Sequence, residues 1–273
     1  MSKTIKLVAL DVDGTLVNKE GGLLPQTGAA IRRALARGVR IVLATGRNYH
    51  GVEHLVQELG LKDPLILANG ALITTAQGEI LRQRAMPVED VALLLDYCRE
   101  QDLSIAAFTT DDQIHLFIPA KGGELERILQ DMDSFGLHKY HIIPRWDDLP
   151  RERVIKVVVS GRDPDHVKQA MEEWPADLDH LNYGRSLPLW LEINGEGVDK
   201  ARALEYVAAD LGIPASQTLA VGDGETDIPM IKWAQIGVLI RDGRVSVHKD
   251  DGFAPPQAVA EGAAWALETF VLV

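Results

Sequence analysis

Two aspartates close the apolar run "LVALDVD": Asp11 and Asp13, two residues apart at the end of what reads as a buried strand. On a strand, residues i and i+2 share a face, with their Cα atoms about 6 to 7 Å apart. Two ionised carboxylates so placed repel by roughly 2 to 4 kcal/mol at an effective dielectric near 20. Asp223 and Asp227, in "GDGETD", add two more acids of the same kind. Such a cluster is tolerable if a cation sits in it. Oxygen ligands without His or Cys suit a hard ion, and Mg2+ fits best, because few protein carboxylates leave it room for waters and a phosphate. Lys200 offers a fixed positive charge, Thr45 a hydroxyl beside backbone N–H groups, and Gly14, Gly46, Gly222 and Gly224 allow close backbone approach. Nucleophilic carboxylate, second carboxylate, cation, lysine and hydroxyl together describe phosphoryl transfer through an aspartyl-phosphate.

The elements that must hold these groups follow from the apolar patterning. "IKLVAL", "VRIVLAT" and "PLILANGA" read as strands buried on both faces. Between them "PQTGAAIRRALARG", with Pro25 at its start and Gly38 at its end, and "GRNYHGVEHLVQELG" read as helices. The rhythm returns after residue 198: helix "VDKARALEYVAADLG", strand "QTLAVGD", short helix "TDIPMIKWA", strand "IGVLI", and a closing helix "PPQAVAEGAAWALETF". This is an α/β fold on a parallel sheet, in which functional side chains gather at the carboxyl ends of strands. Those ends carry Asp11 and Asp13, Thr45-Gly46-Arg47, Asn69-Gly70, and Asp223 with Asp227.

Between the two halves the pattern differs. "LSIAAFTTDDQIHLFIP" reads as two strands joined at a tight "DD" turn, interleaved with helices "PVEDVALLLDYCREQD", "GELERILQDMDSFG" and "DPDHVKQAMEEW" and strands "RVIKVVVSG" and "LPLWLEIN". The expected organisation is a discontinuous α/β core, residues 1–83 and 191–273, with an α+β domain inserted at 84–190.

"DVDGT", "ATGR", Lys200 in "GVDKARAL" and "GDGETD" resemble, in order, the four motifs of the haloacid dehalogenase (HAD) superfamily of phosphatases, the last lying more than 200 residues after the first. The insert resembles the type IIB cap of the Cof-like subfamily, and the resemblance covers essentially the whole chain. It implies a Rossmann-like core, with Asp11 the nucleophile and Asp13 the general acid and then base. It further implies Mg2+ on Asp11, the Asp13 carbonyl and Asp223, with Asp227 on a metal-bound water or as a fourth acid. Thr45 and Lys200 would bind phosphoryl oxygens, Lys200 would restrain Asp11, and Thr15 would orient the loop. Gly46, Arg47, Asn69 and Thr226 complete the expected substrate contacts. Two departures bear on subfamily and substrate. Thr226 stands where relatives commonly read Asn, and "IGVLIRDGRVSVHKDDGFAPP" differs from the usual Cof ending, standing nearer the sugar-phosphate phosphatases.

Plainer readings stand beside these. A "DxD" pair also occurs in turns, and a lysine such as Lys200 taken alone is a solvated helix residue. Arg47 can pair with a surface acid, and Asn69 can occupy a left-handed turn. His50 and His54 have a zinc spacing without the "HExxH" glutamate, and His138 and His141 read as solvated. Lys156 can face the substrate, though it reads better as a polar-face strand residue, and Cys98 reads as a buried helix residue. "GEGVDK" lacks the ending of a P-loop. The net charge of −12 disfavours nucleic acid and anionic lipid, and one cysteine excludes an internal disulfide. With no run near 20 apolar residues, the expectation is a soluble cytoplasmic protein, monomer or homodimer, acting on a small phosphorylated metabolite, with no nucleic-acid and no membrane partner. A phosphomannomutase-like phosphomutase, which returns the phosphoryl group to a sugar, and a non-catalytic phosphate-binding regulator are the alternatives.

Overall fold

The computed structural model describes residues 4–18, 21–119, 125–134, 137, 139–187, 189–249, 252–254 and 256–273. The first half runs β1 (Leu7–Leu10), α1 (Pro25–Ala36), β2 (Arg40–Leu43), α2 (Glu53–Leu59), β3 (Leu65–Leu67), β4 (Leu72–Thr74) and β5 (Ile80–Gln83). The insert follows as α3 (Val88–Glu100), β6 (Ser104–Thr109), β7 (Ile114–Phe117), α4 (Leu125–Ser134), β8 (Tyr140–Ile142), β9 (Val154–Ser160), α5 (Pro164–Glu172), β10 (Asn182–Leu187) and β11 (Trp190–Asn194). The chain closes with α6 (Lys200–Asp210), β12 (Thr218–Gly222), α7 (Ile228–Trp233), β13 (Ile236–Arg241), β14 (Arg244–Lys249), β15 (Gly252–Phe253), β16 (Gln257–Ala258) and α8 (Gly262–Phe270).

In the core sheet, ordered β15-β14-β13-β12-β1-β2, the four strands from β13 to β2 are parallel. Their continuous apolar runs follow from burial on both faces. Alternate residues of β1 divide accordingly: Leu7 and Ala9 pack with Leu204 of α6 and Met230 of α7, Val8 and Leu10 with Ile31 of α1 and Leu267 of α8. The carboxyl ends of β1, β2 and β12 therefore lie at one edge. Glu261, just before α8, accepts from the Thr27 N–H and hydroxyl (2.7 and 2.8 Å), filling the N-terminus of α1 that its neighbours leave uncapped.

The insert folds as a second sheet, ordered β10-β11-β9-β6-β7-β8. One face is covered by α3 and α5, with Cys98 buried among Leu94, Val157 and Val167. The other face, with Phe108, Val158 and Trp190, looks back toward the core. Because β11 pairs with β9 along its length, the sheet extends to Asn194, past the expected limit at 190.

Two expectations are corrected. Residues 46–52 form a loop, and α2 begins only at Glu53, so His50 and His54 do not share a helix. The closing helix starts at Gly262: Gln257–Ala258 pair with β14, and Pro255 lies outside the described residues. β14, to which the sequence pattern assigns no element, is folded back on β13 by the Asp242-Gly243 turn, both residues left-handed (φ 50° and 68°).

Candidate active site

Asp11 directly follows β1 and is held against β12 by its N–H to the Val221 carbonyl (2.9 Å). Lys200 arrives from the opposite direction. Asp199 caps α6 by accepting the Arg202 N–H (2.8 Å), which makes Lys200 the first helical residue. Its ammonium reaches Asp11 Oδ1 at 2.7 Å and Asp227 Oδ1 at 2.6 Å. Asp227 Oδ2 in turn accepts the N–H groups of Asp223 (3.0 Å) and Gly224 (2.9 Å), so this one carboxylate fixes both the lysine and the loop after β12. Gly14 is in the left-handed region (φ 74°), and a Cβ there would overlap the Asp223 carboxylate; the "DVDGT" loop needs that glycine to approach the "GDGETD" loop.

Donor oxygens of Asp11, Asp223 and Asp227 lie within 4.8 Å of one another. Burial, with Asp227 next, holds the Asp11 carboxyl well above its usual range, although Lys200 opposes. The same causes push Asp223 up to about 7. Four carboxylates here face two cations, Lys200 and Arg47. The donor chemistry and the surplus negative charge fit a divalent metal.

Asp13 also lines the cavity, its carboxylate gripped by the Arg47 fork: Nε to Oδ2 at 3.0 Å, Nη2 to Oδ1 at 2.6 Å. Arg47, expected as a substrate contact, is buried and also donates to the Gly51 carbonyl (2.8 Å); here it orients Asp13. Thr45 is buried, accepts the Arg47 N–H (3.1 Å) and is not among the residues lining the cavity. Thr15 is likewise buried behind the wall, its hydroxyl without a hydrogen-bond partner. Asn69 is left-handed (φ 58°, ψ 26°), as a turn residue would be, yet its amide also donates to Glu192 (2.5 Å) and Asn194 (3.2 Å) of the insert. Thr226 lines the cavity and presents its methyl to Gly184 of β10. Among the remaining histidines, His50 lies 3.4 Å from Asp112, His141 contacts Gln113 (3.0 Å), and His138 lies outside the described residues.

These groups line a cavity of about 700 Å3 between the two sheets, and the insert supplies its far wall. That wall contains Phe108, Asp131, Lys156, Trp190 and Glu192. Lys156 is not a surface residue: it is 1% exposed, 2.9 Å from Glu192 and 2.7 Å from the Gly46 carbonyl. Sequence reasoning missed Glu192 altogether. The available signal was a charge within each of two otherwise apolar strands, "VIKVVV" and "LWLEI", which neighbour each other in the sheet.

Comparison with known proteins agrees with this arrangement. Residues 8–262 match the haloacid dehalogenase-like hydrolase family. YxeH of Bacillus subtilis (strain 168), a putative phosphatase, is 28% identical over 98% of each chain. YcsE of the same organism, a 5-amino-6-(5-phospho-D-ribitylamino)uracil phosphatase, is 27% identical over 98% of this chain and 96% of its own. The solved structure of the HAD subclass IIB sugar phosphatase BT4131 superposes with a TM-score of 0.73 at 24% identity, covering 85% of this chain and 86% of that one, a likeness of fold that includes the insert. Strand ends, acidic cluster and inserted sheet thus have one explanation: the chain belongs to the haloacid dehalogenase-like hydrolase family, as a phosphoric monoester hydrolase whose fold is like that of a subclass IIB member.

Proposed function

We propose that the protein is a Mg2+-dependent phosphatase of small phosphorylated metabolites, sugar phosphates foremost, working through an aspartyl-phosphate on Asp11. The observation that carries this reading is the Lys200 ammonium held between Asp11 and Asp227 at the core end of the cavity. An oxygen of Asp11 attacks phosphorus, the bond to the leaving oxygen breaks, and Asp13 supplies that oxygen's proton. Water then attacks the same phosphorus, gives a proton to Asp13, and the bond to Asp11 breaks to release inorganic phosphate. Lys200 restrains Asp11 and balances phosphoryl charge, while the Thr45 hydroxyl, behind the cavity wall, accepts the Arg47 N–H and so steadies the loop that carries Arg47 to Asp13. Mg2+, held by Asp11, Asp223 and the Asp13 carbonyl with Asp227 beside them, would supply further charge neutralisation for the phosphoryl group. The inserted sheet, proposed as a cap domain, meets the leaving group and excludes bulk water.

Phosphate release from a panel of phosphorylated sugars, nucleotides and cofactors tests this, with Mg2+ or EDTA, beside Asp11→Asn. Turnover that needs both the metal and Asp11 is expected. Turnover by Asp11→Asn at the wild-type rate, or none from any ester, would overturn it. Among the described residues no helix is long and apolar enough to cross a membrane.

A further inference from the structure

The far wall of the cavity carries an ion pair that the reaction itself does not require. Lys156 on β9 and Glu192 on β11 face the cavity from adjacent antiparallel strands, with Phe108 of β6 beneath the ammonium (4.7 Å to the ring centroid). Glu192 also accepts from Asn69 of the core. Asp131, on the same wall, lies 3.5 Å from Arg127, which also donates to Ser160 Oγ (3.2 Å) and the Gly161 carbonyl (2.9 Å). At the core end Lys200 is held by Asp11 and Asp227, and Arg47 by Asp13.

Among the described residues, every cation lining the cavity is therefore already paired with an acid that lines it too. One phosphoryl group docks at Asp11, where Lys200 and the metal site meet it. A second anionic group, at the cap end, would have to take Lys156 from Glu192 and then lie against the buried carboxylate it displaced. Like charges so juxtaposed in a dry site suppress binding strongly. What the wall does offer is two carboxylates able to accept O–H groups, and the rings of Trp190 and Phe108 to pack against a ring face.

We infer that Glu192 is a specificity-determining residue: by neutralising Lys156 it restricts the site to monophosphates whose remainder is uncharged and hydroxylated, and turns away bisphosphates. The inference rests on the phosphatase reading above. It also separates hydrolysis from mutase chemistry, since a mutase must pass its phosphoryl group to a sugar monophosphate and so hold a bisphosphate.

The test is competition against hydrolysis of p-nitrophenyl phosphate in the Mg2+-loaded protein, using matched pairs: glucose 6-phosphate with glucose 1,6-bisphosphate, and fructose 6-phosphate with fructose 1,6-bisphosphate. In the wild type the monophosphates should bind at least about 10-fold more tightly. Glu192→Gln keeps the shape and an acceptor for Asn69 but leaves Lys156 uncompensated, and should shift the ratio toward the bisphosphate by about 10-fold or more. Lys156→Met should move the ratio the other way, which keeps the test intact if Glu192→Gln does not fold. Bisphosphates competing as well as monophosphates, or equal failure of both, would overturn the inference, as would a ratio unchanged by either variant. Absence of p-nitrophenyl phosphate turnover would instead sink the phosphatase reading, and the inference with it.

Discussion

Among the described residues Lys200 and Lys156 are the two largest fully buried side chains, and both line one cavity, Lys200 from the core and Lys156 from the insert. Burial pulls both ammonium groups down, but their outcomes differ in sign. At Lys200, Asp11 and Asp227 outweigh burial and hold the group well above its usual value. At Lys156 burial wins over Glu192, with Lys200 adding to it, and the group falls below its usual value. One carboxylate and an aromatic ring do not compensate a dry ammonium; two carboxylates at contact distance do. The core end thus carries a charge fixed at every working pH, which suits a phosphoryl site. The cap end carries a balanced pair, which suits discrimination between leaving groups.

The sharpest way to break this comparison is to remove each charge. Lys200→Met should lower kcat by roughly 10^3-fold or more, because the charge acts on the transferring phosphoryl group. Lys156→Met should cost about 10-fold, and in KM more than in kcat, because it touches the leaving-group end. Steady-state kinetics on one substrate decide it. Equal losses in kcat from both variants would show that the two lysines serve the same step.

Stability offers a second contrast. Lys200→Met or Lys156→Met alone strands buried carboxylates and should cost about 3 to 5 kcal/mol in denaturant unfolding. Replacing the whole cap pair, as Lys156→Met with Glu192→Leu, should leave stability within about 1 kcal/mol of the wild type, since an apolar pair of similar volume avoids the desolvation of both ions. A double variant as unstable as the single ones would mean that the contacts to Gly46 and Asn69, not the ion pair, hold the two sheets together.

The acids around Lys200 also predict how pH and metal act. Asp223, pushed up to about 7, and Asp11, raised as well, bind protons more tightly folded than unfolded. The stability they lend the metal-free protein is complete below the unfolded value near 4 and is lost as pH rises toward 7. If Mg2+ binds the ionised cluster as proposed, its stabilisation should be larger at pH 8 than at pH 6. At 100 times Kd it amounts to about 2.7 kcal/mol. Thermal melts with Mg2+ or EDTA at the two pH values check this; a gain that is larger at pH 6 would remove the acidic cluster as the binding site.

The contrast between the two ends also explains what the sequence disclosed. Asp11 and Asp13 were legible because a buried parallel strand ending in two acids has few structural uses, and the topology then collects other strand ends beside them. Lys200 was legible only through the surrounding family pattern, since nothing in a helix-opening lysine says that it points inward. Arg47 was half legible: its position was right, but its guanidinium is turned to Asp13 by a loop that reads as helix in periodicity. Of the insert's wall only Lys156 was half legible, for a different reason. Lys156, Trp190, Phe108 and Asp131 come from four separated elements, and their meeting depends on the register between β6, β9 and β11, which local pattern does not specify.

The seam between the two ends gives the smallest expected effect. Thr226 sits in the loop after β12, lines the cavity, and turns its methyl to Gly184 of the cap strand β10, while the neighbouring Glu225 accepts the Arg185 N–H (3.3 Å). Asn, common at this position in the family, adds an amide to the cavity but loses the β-branch that stiffens χ1 against the cap. Gly184 has no side chain, so the larger residue has room to adjust. Thr226→Asn should therefore change kcat/KM by no more than about 3-fold and unfolding by about 0.5 kcal/mol, in the range of ordinary substitutions away from buried charges. A loss comparable to that of Lys156→Met would move Thr226 from the seam into the leaving-group site, and would make the cap contact at Gly184 part of substrate selection.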